Sequence, residues 1–355
     1  MGKRVNTAVW MEKHNRWQIK VQKDGVRKTF YSSTPGRTGQ REANKKADQW
    51  LDENIDRSGL RVQELYTEFF ESQKKTTSRG NWVNVESIGR VWILPEIGAM
   101  KIGRVNEQHL QNIIDKACQK RRSKKTVMNI RAVIMAFFKW CRKSKASTLV
   151  PENLHIPKSV RYKGKHILTP DDLKKLFSID TTIYRGKIVH DNLINAYRFQ
   201  VLLGLRPGEL IGLRWDDIHG TYLKTSGPIN KFGETTAGKN ENAIRTIGIS
   251  DKAKEILEAQ RKMSQSEFVF GELSQDNYYE SWKRYCRAND IEYVTPYELR
   301  HTFVSIVKSL PEGDVKAVVG HSKNMDTFGI YGHMLEGDLE RIAEEIEGKF
   351  SGLLE

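Results

Sequence analysis

The sequence is poor in cysteine and has no long hydrophobic run. Its 355 residues include three cysteines, Cys118, Cys141 and Cys286, which form no Cys-x-x-Cys pair and leave an odd thiol in any pairing scheme. This pattern excludes a disulfide-rich secreted protein and a zinc ribbon, and it favours a reducing compartment. No stretch approaches the roughly 18 apolar residues that a membrane span needs, and the first ten residues lack the apolar segment of a secretory signal. We therefore expect a cytoplasmic protein with no membrane partner.

Acidic residues are also scarce: 44 Asp+Glu stand against 59 Lys+Arg, which gives a formal net charge of +15. Residues 1–50 carry 12 basic and 4 acidic side chains, and residues 61–150 carry 18 and 7. The last 205 residues are nearly neutral, with 28 basic and 30 acidic side chains. The excess charge predicts two N-terminal segments that bind a polyanion in front of a larger, nearly neutral domain. A generic basic surface is the alternative.

The apolar pattern predicts a multidomain, mainly helical protein. Residues 1–57 look like a small β-sheet plus a helix: alternating residues flank an Asp24-Gly25 hairpin turn, Gly36 to Gly39 break the pattern, and Arg41–Leu51 forms a short helix. Residues 61–148 look all-helical, and 149–167 look like a linker. Residues 168–355 read as one larger domain of helices with a small strand insertion. We expect the first segment to bind nucleic acid, with a purely structural role as the alternative.

Two basic clusters flank the helix predicted near residues 127–141. The residues that we expect to contact DNA there are Arg121, Arg122, Lys124, Lys125, Arg142 and Lys143. Two clusters around one amphipathic helix favour tracking of a phosphate backbone. A solvated charged face is the alternative for any single residue.

Chemistry-bearing residues concentrate between positions 204 and 333. Arg206 lies in a tight Gly-Leu-Arg-Pro-Gly-Glu-Leu turn between two helices, with Glu209 as its candidate ion-pair partner. A helix starting at Thr295-Pro296 places Tyr297 and Arg300, three residues apart, on one face. The remaining candidates are Lys239 on a strand hairpin, His321 after a helix that ends at Gly320, and Tyr331 in an Ile-Tyr-Gly-His segment. Each of these residues, taken alone, has an ordinary structural explanation.

The order and spacing of these motifs resemble the tyrosine recombinase (phage integrase) family. The matching pieces are G-L-R-P-G-E-L, K-x5-R-T-I, L-R-H-T-F, G-H-S and I-Y-G-H, and with the N-terminal layout the resemblance covers essentially the whole chain. It implies a three-domain integrase of a phage or an integrative/conjugative element. The implied domains are an arm-site DNA-binding domain, a helical core-binding domain and a mixed α+β catalytic domain.

The same resemblance implies an activity and its partners. Such an enzyme cuts and rejoins double-stranded DNA through a covalent 3′-phosphotyrosyl intermediate, and it needs no metal or cofactor. It acts at attachment core and arm sites as a homotetramer on DNA and is a monomer in solution. A directionality factor or a host DNA-bending protein is a further expected partner, inside a bacterial host.

The resemblance also assigns roles to residues. Tyr331 matches the nucleophile, Arg206 and Arg300 the phosphate-binding arginines, Lys239 the general acid, and His321 the histidine of the G-H-S motif. Tyr297 departs from the family, which most often has histidine there. With a pKa near 10 a tyrosine is a poor proton shuttle, although it can donate a hydrogen bond to a phosphate oxygen. The neighbouring His301 points about 100° away and does not fill this position.

Three questions stay open from the sequence. The same catalytic residues would serve a type IB topoisomerase, which relaxes DNA as a monomer. A non-catalytic DNA-binding regulator with a decayed site is another possibility, prompted by Tyr297. The acidic tail helix near residues 339–350 packs either on its own domain or on a neighbouring protomer.

Overall fold

The chain folds mainly into helices with small sheets, as the sequence predicts. The computed structural model describes residues 5–23, 25–52, 57–162, 164–225, 227–235, 244–320 and 337–355. The chain divides into two compact units, residues 1–163 and residues 164–355. Among the described residues, none of the helices combines the length and the apolar character that a bilayer crossing requires.

The N-terminal end of the first unit is a three-stranded antiparallel sheet covered by a helix. The strands are β1 (Val9–Met11), β2 (Arg16–Lys23) and β3 (Val26–Ser32). Lys23 pairs with Val26, so the predicted two-residue hairpin turn is confirmed. Helix α1 (Gly36–Asp52) packs its apolar face on this sheet. The buried residues of this cluster are Ala8, Ile19, Val21, Ala43, Ala47, Trp50 and Leu51.

Helix α1 begins five residues before the predicted start, so the expectation that Gly36 to Gly39 break the pattern was wrong. The cause is packing rather than helix propensity. A Cβ atom at Gly39 would lie 1.7 Å from the main-chain oxygen of Thr34 and 2.8 Å from Cδ1 of Trp17. Only glycine lets this turn of the helix approach the chain so closely, and that outweighs its low helix propensity.

Residues 57–162 surround a second hydrophobic cluster. The helices are α2 (Val62–Thr76), α3 (Arg79–Ile88), α4 (Leu94–Ile97), α5 (Glu107–Gln119) and α6 (Lys124–Lys143), with a π-helical turn at Gly89–Ile93 and a 3-10 turn at Ile102–Arg104. The rings of Tyr66, Phe69 and Phe137 lie 5.1 to 5.6 Å apart at its centre. The apolar faces of α2 and α6 therefore form much of the core of this segment.

The basic residues around α6 have different surroundings. Arg121, Lys125 and Lys143 are exposed. The Arg122 guanidinium lies 5.8 Å from the Trp92 ring centre, and the Lys124 ammonium lies 5.4 Å from that of Tyr162. Arg142 donates a hydrogen bond of 2.9 Å to the main-chain oxygen of Leu149. Arg142 thus ties the segment after α6 to that helix, and Leu154 of the same segment is buried in the cluster.

The described part of the second unit has a helical core with two small sheets. Its helices are α7 (Pro170–Ser178), α8 (Ile194–Leu203), α9 (Pro207–Ile211), α10 (Asp251–Met263), α11 (Gln275–Ala288), α12 (Pro296–Ile306), α13 (Glu312–Val319) and α14 (Asp338–Leu354). Its strands are β4 (Thr181–Tyr184), β5 (Lys187–His190), β6 (Ile218–His219), β7 (Tyr222–Lys224) and β8 (Thr246–Gly248). β4 and β5 form a hairpin that the sequence analysis did not predict, and β6, β7 and β8 form an antiparallel sheet in that order.

The tail helix α14 packs on its own unit. Ile342, Ile346 and Phe350 are buried in the hydrophobic core of residues 164–355. Its acidic residues are used within the chain: Glu345 pairs with Arg341 at 2.9 Å, and Glu347 accepts a hydrogen bond from the main-chain N–H of Lys252. In this single chain α14 thus packs on its own unit, and docking on a neighbouring protomer is not tested by it.

Candidate active site

The turn between α8 and α9 sets the backbone of the site. Gly204 ends α8 in the left-handed conformation, with φ +62°, and a Cβ there would lie 2.4 Å from Cδ1 of Phe303. The buried Gln200 amide donates hydrogen bonds to the main-chain oxygens of Leu205 and Pro296, at 3.0 and 2.9 Å. Gln200 therefore fixes the turn that carries Arg206 against the start of α12, the helix that carries Arg300.

Arg206 stands directly before Pro207, the first residue of α9. Its Nη1 donates a hydrogen bond of 2.6 Å to Oε1 of Glu209, and its main-chain N–H donates one of 2.9 Å to Oε2. The predicted ion pair between Arg206 and Glu209 is confirmed. The side chain of Arg206 stays 31% exposed, whereas that of Glu209 is 2% exposed. The buried Glu209 carboxylate thus binds one edge of the guanidinium, and the exposed part of the Arg206 side chain is accessible to a ligand.

Arg300 lies deeper, with 3% of the residue exposed. Its Nη1 donates a hydrogen bond of 2.9 Å to the main-chain oxygen of Gly204, and its Nη2 donates one to Val319. The side chain therefore connects the C-terminal ends of α8 and α13. Helix C-termini carry unpaired carbonyls and partial negative charge, which a buried cation satisfies.

A third arginine, which the sequence analysis did not select, completes the cluster. Arg245 donates to both oxygens of Glu209, each at 2.9 Å, and its Nε donates to the main-chain oxygen of Val318 at 2.6 Å. Arg206 Nη2 donates to the main-chain oxygen of Gly320 at 3.2 Å. Three guanidinium groups from different elements therefore bind three consecutive carbonyls at the end of α13. The signal available in the sequence was the arginine of the K-x5-R-T-I motif.

The charges in this cluster do not cancel. Burial alone would raise the pKa of Glu209, but the hydrogen bonds and charges of Arg245 and Arg206 outweigh it and lower that pKa to about 2. Burial and the nearby charge of Arg206 lower the pKa of Arg300 to about 10. At neutral pH the cluster thus holds three guanidinium groups and one carboxylate, a net charge of +2. Such a cluster is suited to bind a phosphate group, and guanidinium can bind it bidentately.

Tyr297, one turn before His301 on α12, is 42% exposed. Its ring meets the His301 ring edge-on, with the centroids 5.5 Å apart. His301 Nε2 is buried with no hydrogen-bond partner among the described residues, and burial together with the charge of Lys165 lowers the pKa of this imidazole. Tyr297 is therefore accessible to a ligand, while His301 packs its ring against that of Tyr297 and keeps its Nε2 buried.

Three predicted site residues, Lys239, His321 and Tyr331, lie outside the described residues. The described part brings together Arg206 and Arg300, the two predicted phosphate-binding residues. Both contact the end of α13, and His321 follows Gly320 directly in the sequence.

Comparison with protein families gives two matches in this chain. Residues 166–337 match the model of the phage integrase family, and residues 62–117 match that of the N-terminal SAM-like domain of phage integrases. The first match lies in the unit that contains the arginine cluster, and the second lies in the first part of the helical segment.

Individual relatives agree with the family models. A "tyrosine recombinase XerC-like" protein of Caldanaerobacter subterraneus subsp. tengcongensis is 22% identical, over 99% of this chain and 100% of the relative. The ICEBs1 integrase of Bacillus subtilis is 25% identical over 50% of this chain and 53% of its own length.

Solved structures share the fold. A Tn1549 transposon integrase bound to circular-intermediate DNA superimposes with a TM-score of 0.64 at 18% identity, covering 80% of this chain and 99% of that one. A lambda integrase tetramer bound to a Holliday junction gives a TM-score of 0.60 at 14% identity, covering 93% of this chain and 98% of that one.

Proposed function

Because this chain belongs to the phage integrase family of tyrosine recombinases, we propose that its arginine cluster binds the scissile phosphate of a DNA attachment site. The chain is a site-specific recombinase that cuts and rejoins DNA. The observation that carries the proposal is the convergence of Arg206 and Arg300 on the end of α13, with a net charge of +2 and an exposed edge on Arg206.

The chemistry requires no net input of energy. The phenolic oxygen of Tyr331 loses its proton to solvent and attacks the phosphorus, the bond from phosphorus to the 5′-oxygen breaks, and a 3′-phosphotyrosyl link forms. The reverse attack by a 5′-hydroxyl of a partner duplex releases the tyrosine and rejoins the strand. Negative charge gathers on the non-bridging oxygens in the transition state, and Arg206 and Arg300 stabilise it there.

The other predicted residues take the remaining tasks. Lys239 donates a proton to the leaving 5′-oxygen. Tyr297, being exposed on the same helix as Arg300, donates a hydrogen bond to a phosphate oxygen rather than shuttling a proton. His321 lies in the G-H-S motif next to the carbonyl of Gly320 that Arg206 contacts, and we assign it a further hydrogen bond to the phosphate.

We propose a division of DNA binding along the chain. Residues 1–57 bind arm sites, residues 61–148 bind the core site, residues 149–167 link the two parts, and residues 168–355 carry catalysis. Arg121, Arg122, Lys124, Lys125, Arg142 and Lys143 contact phosphates of the core site. The active assembly is a homotetramer on two duplexes in the bacterial cytoplasm, formed from monomers and aided by a directionality factor or a DNA-bending protein.

Covalent trapping tests the proposal. The substrate is a duplex built from the direct repeats that flank the element carrying this gene, with a nick placed so that the cleaved end diffuses away. The wild-type protein is expected to form an adduct that survives denaturing gel electrophoresis, and Tyr331→Phe is expected to bind the duplex without forming it. Tyr293→Phe, a change at another exposed tyrosine, is the matched control and is expected to trap normally. Trapping by Tyr331→Phe would refute the nucleophile.

A second assay separates recombination from relaxation. A plasmid with two sites is expected to yield exchanged products, and a supercoiled plasmid without sites is expected to stay supercoiled. Relaxation of the site-free plasmid by the monomer would instead identify a type IB topoisomerase. Absence of any adduct would identify a non-catalytic DNA-binding protein.

A further inference from the structure

Arg245 directly precedes strand β8. Its main-chain oxygen accepts a hydrogen bond of 2.9 Å from the N–H of Thr225, and its own N–H donates one of 3.0 Å to the Thr225 hydroxyl. The side chain leaves this fixed backbone and is 7% exposed. Its position is therefore set by the sheet, independently of any ligand.

The contacts of Arg245 link Glu209 to the end of α13. Two of its nitrogens form the planar, two-point pair with the Glu209 carboxylate, and the third binds Val318. A carboxylate held at both oxygens cannot rotate, so Oε1 stays in place for Arg206 Nη1. The same arginine fixes Val318, one residue before the carbonyl that Arg300 contacts.

We propose that Arg245 is a positioning residue for strand cleavage, which acts through Glu209 and the end of α13 to aim Arg206 and Arg300 at one phosphate. The inference rests on the proposed function. Arg245 itself is too buried to meet the phosphate, and all three of its hydrogen-bond acceptors lie within the protein. Arg206, which binds the same Glu209 carboxylate, has a side chain that is 31% exposed and can reach the phosphate.

Single-turnover cleavage of the nicked duplex tests the role. Arg245→Met keeps the bulk of the side chain and removes all three hydrogen bonds. Its cleavage rate constant is expected to fall about a hundredfold, with the affinity for the duplex unchanged within about threefold, because the loss is in transition-state stabilisation.

Arg245→Lys is expected to cleave at least about tenfold more slowly than the wild type, since an ammonium cannot make the two-point pair. Arg214→Met, which removes an exposed ion pair with Glu267, is the matched control and is expected to cleave normally.

A substrate change distinguishes positioning from simple misfolding. A methylphosphonate at the scissile position removes one negative charge from the phosphate. Its cleavage therefore depends less on stabilisation by a correctly placed Arg206 guanidinium. The diastereomer that rescues Arg206→Ala is expected to rescue Arg245→Met as well. A normal rate constant in the folded fraction, or the absence of rescue in both Arg245→Met and Arg245→Lys, would overturn the positioning role. If the wild-type protein forms no adduct, the recombinase proposal fails first, and the positioning role fails with it.

Discussion

Arg300 donates a hydrogen bond of 2.9 Å to the main-chain oxygen of Gly204, the left-handed residue that ends α8. The contact joins residues 96 positions apart in the sequence. It places a buried cation of α12 at the end of α8, immediately before the turn that carries Arg206. The geometry of the candidate site thus depends on a backbone conformation that only glycine adopts easily.

Replacing Gly204 by alanine is expected to cost about 2–4 kcal/mol of unfolding free energy, from left-handed strain and from overlap with Phe303. Urea unfolding measures the loss. Gly220→Ala is the matched control, because Gly220 also has positive φ, at +69°, but a Cβ added there would meet no atom within 4 Å. It is expected to cost only about 1 kcal/mol. Equal losses would contradict the role given to packing against Phe303.

Alanine variants at Arg206 and Arg300, the two arginines proposed to bind the scissile phosphate, are expected to lose similar cleavage activity but different amounts of folding stability. Both Arg206→Ala and Arg300→Ala are expected to lower single-turnover cleavage by about a thousandfold or more. Arg300→Ala is also expected to cost about 3 kcal/mol of stability, because it leaves buried carbonyls of Gly204 and Val319 without a donor. Arg206→Ala, at a position where the side chain is 31% exposed, is expected to cost about 1 kcal/mol. Urea titrations measure the stability of both variants, and cleavage assays measure their activity. A larger stability loss in Arg206→Ala than in Arg300→Ala would contradict the prediction.

Glu209 is expected to make stability pH-dependent in the acid range. Its pKa is about 2 in the folded protein against an ordinary value of 4.5. Its stabilising contribution, about 3 kcal/mol, is therefore fully present above pH 4.5 and is lost as the pH falls toward 2. The unfolding free energy of Glu209→Gln should approach that of the wild type over this range. A difference that stays constant from pH 6 to pH 3 would rule this out.

Deleting residues 1–52 is expected to weaken the salt dependence of DNA binding while sparing cleavage at a core site. These residues have a hydrophobic cluster of their own, and the first 50 carry 12 basic against 4 acidic side chains. The slope of log affinity against log salt concentration reports the phosphate contacts that are lost. Loss of cleavage in this variant, with the remaining residues still folded by circular dichroism, would contradict the proposal that the N-terminal residues bind arm sites and take no part in catalysis.

Local chemistry explains which features the sequence predicts. The predicted start of α12 at Pro296 follows from a capping threonine, a proline and a glutamate within four positions. The Arg206–Glu209 pair is likewise local. Arg245 is different, since its partner Glu209 lies 36 residues away, and no local pattern specifies that contact.

The β4–β5 hairpin escaped prediction for a related reason. Its apolar residues are exposed, as at Ile188, which is 77% exposed, so no alternation of buried and exposed positions marks the strands. The turn at Arg185-Gly186, where both residues have positive φ, is the signal that could have found it.

Peptide mapping of the trapped adduct tests the central claim most directly. After trapping on the nicked duplex, nuclease and protease digestion leaves a nucleotide on the reacting side chain, and mass spectrometry locates it. The account predicts a single modified residue, Tyr331, linked through a 3′-phosphate. A nucleotide on another side chain, such as the exposed Tyr297, or a 5′-phosphate link, would contradict it.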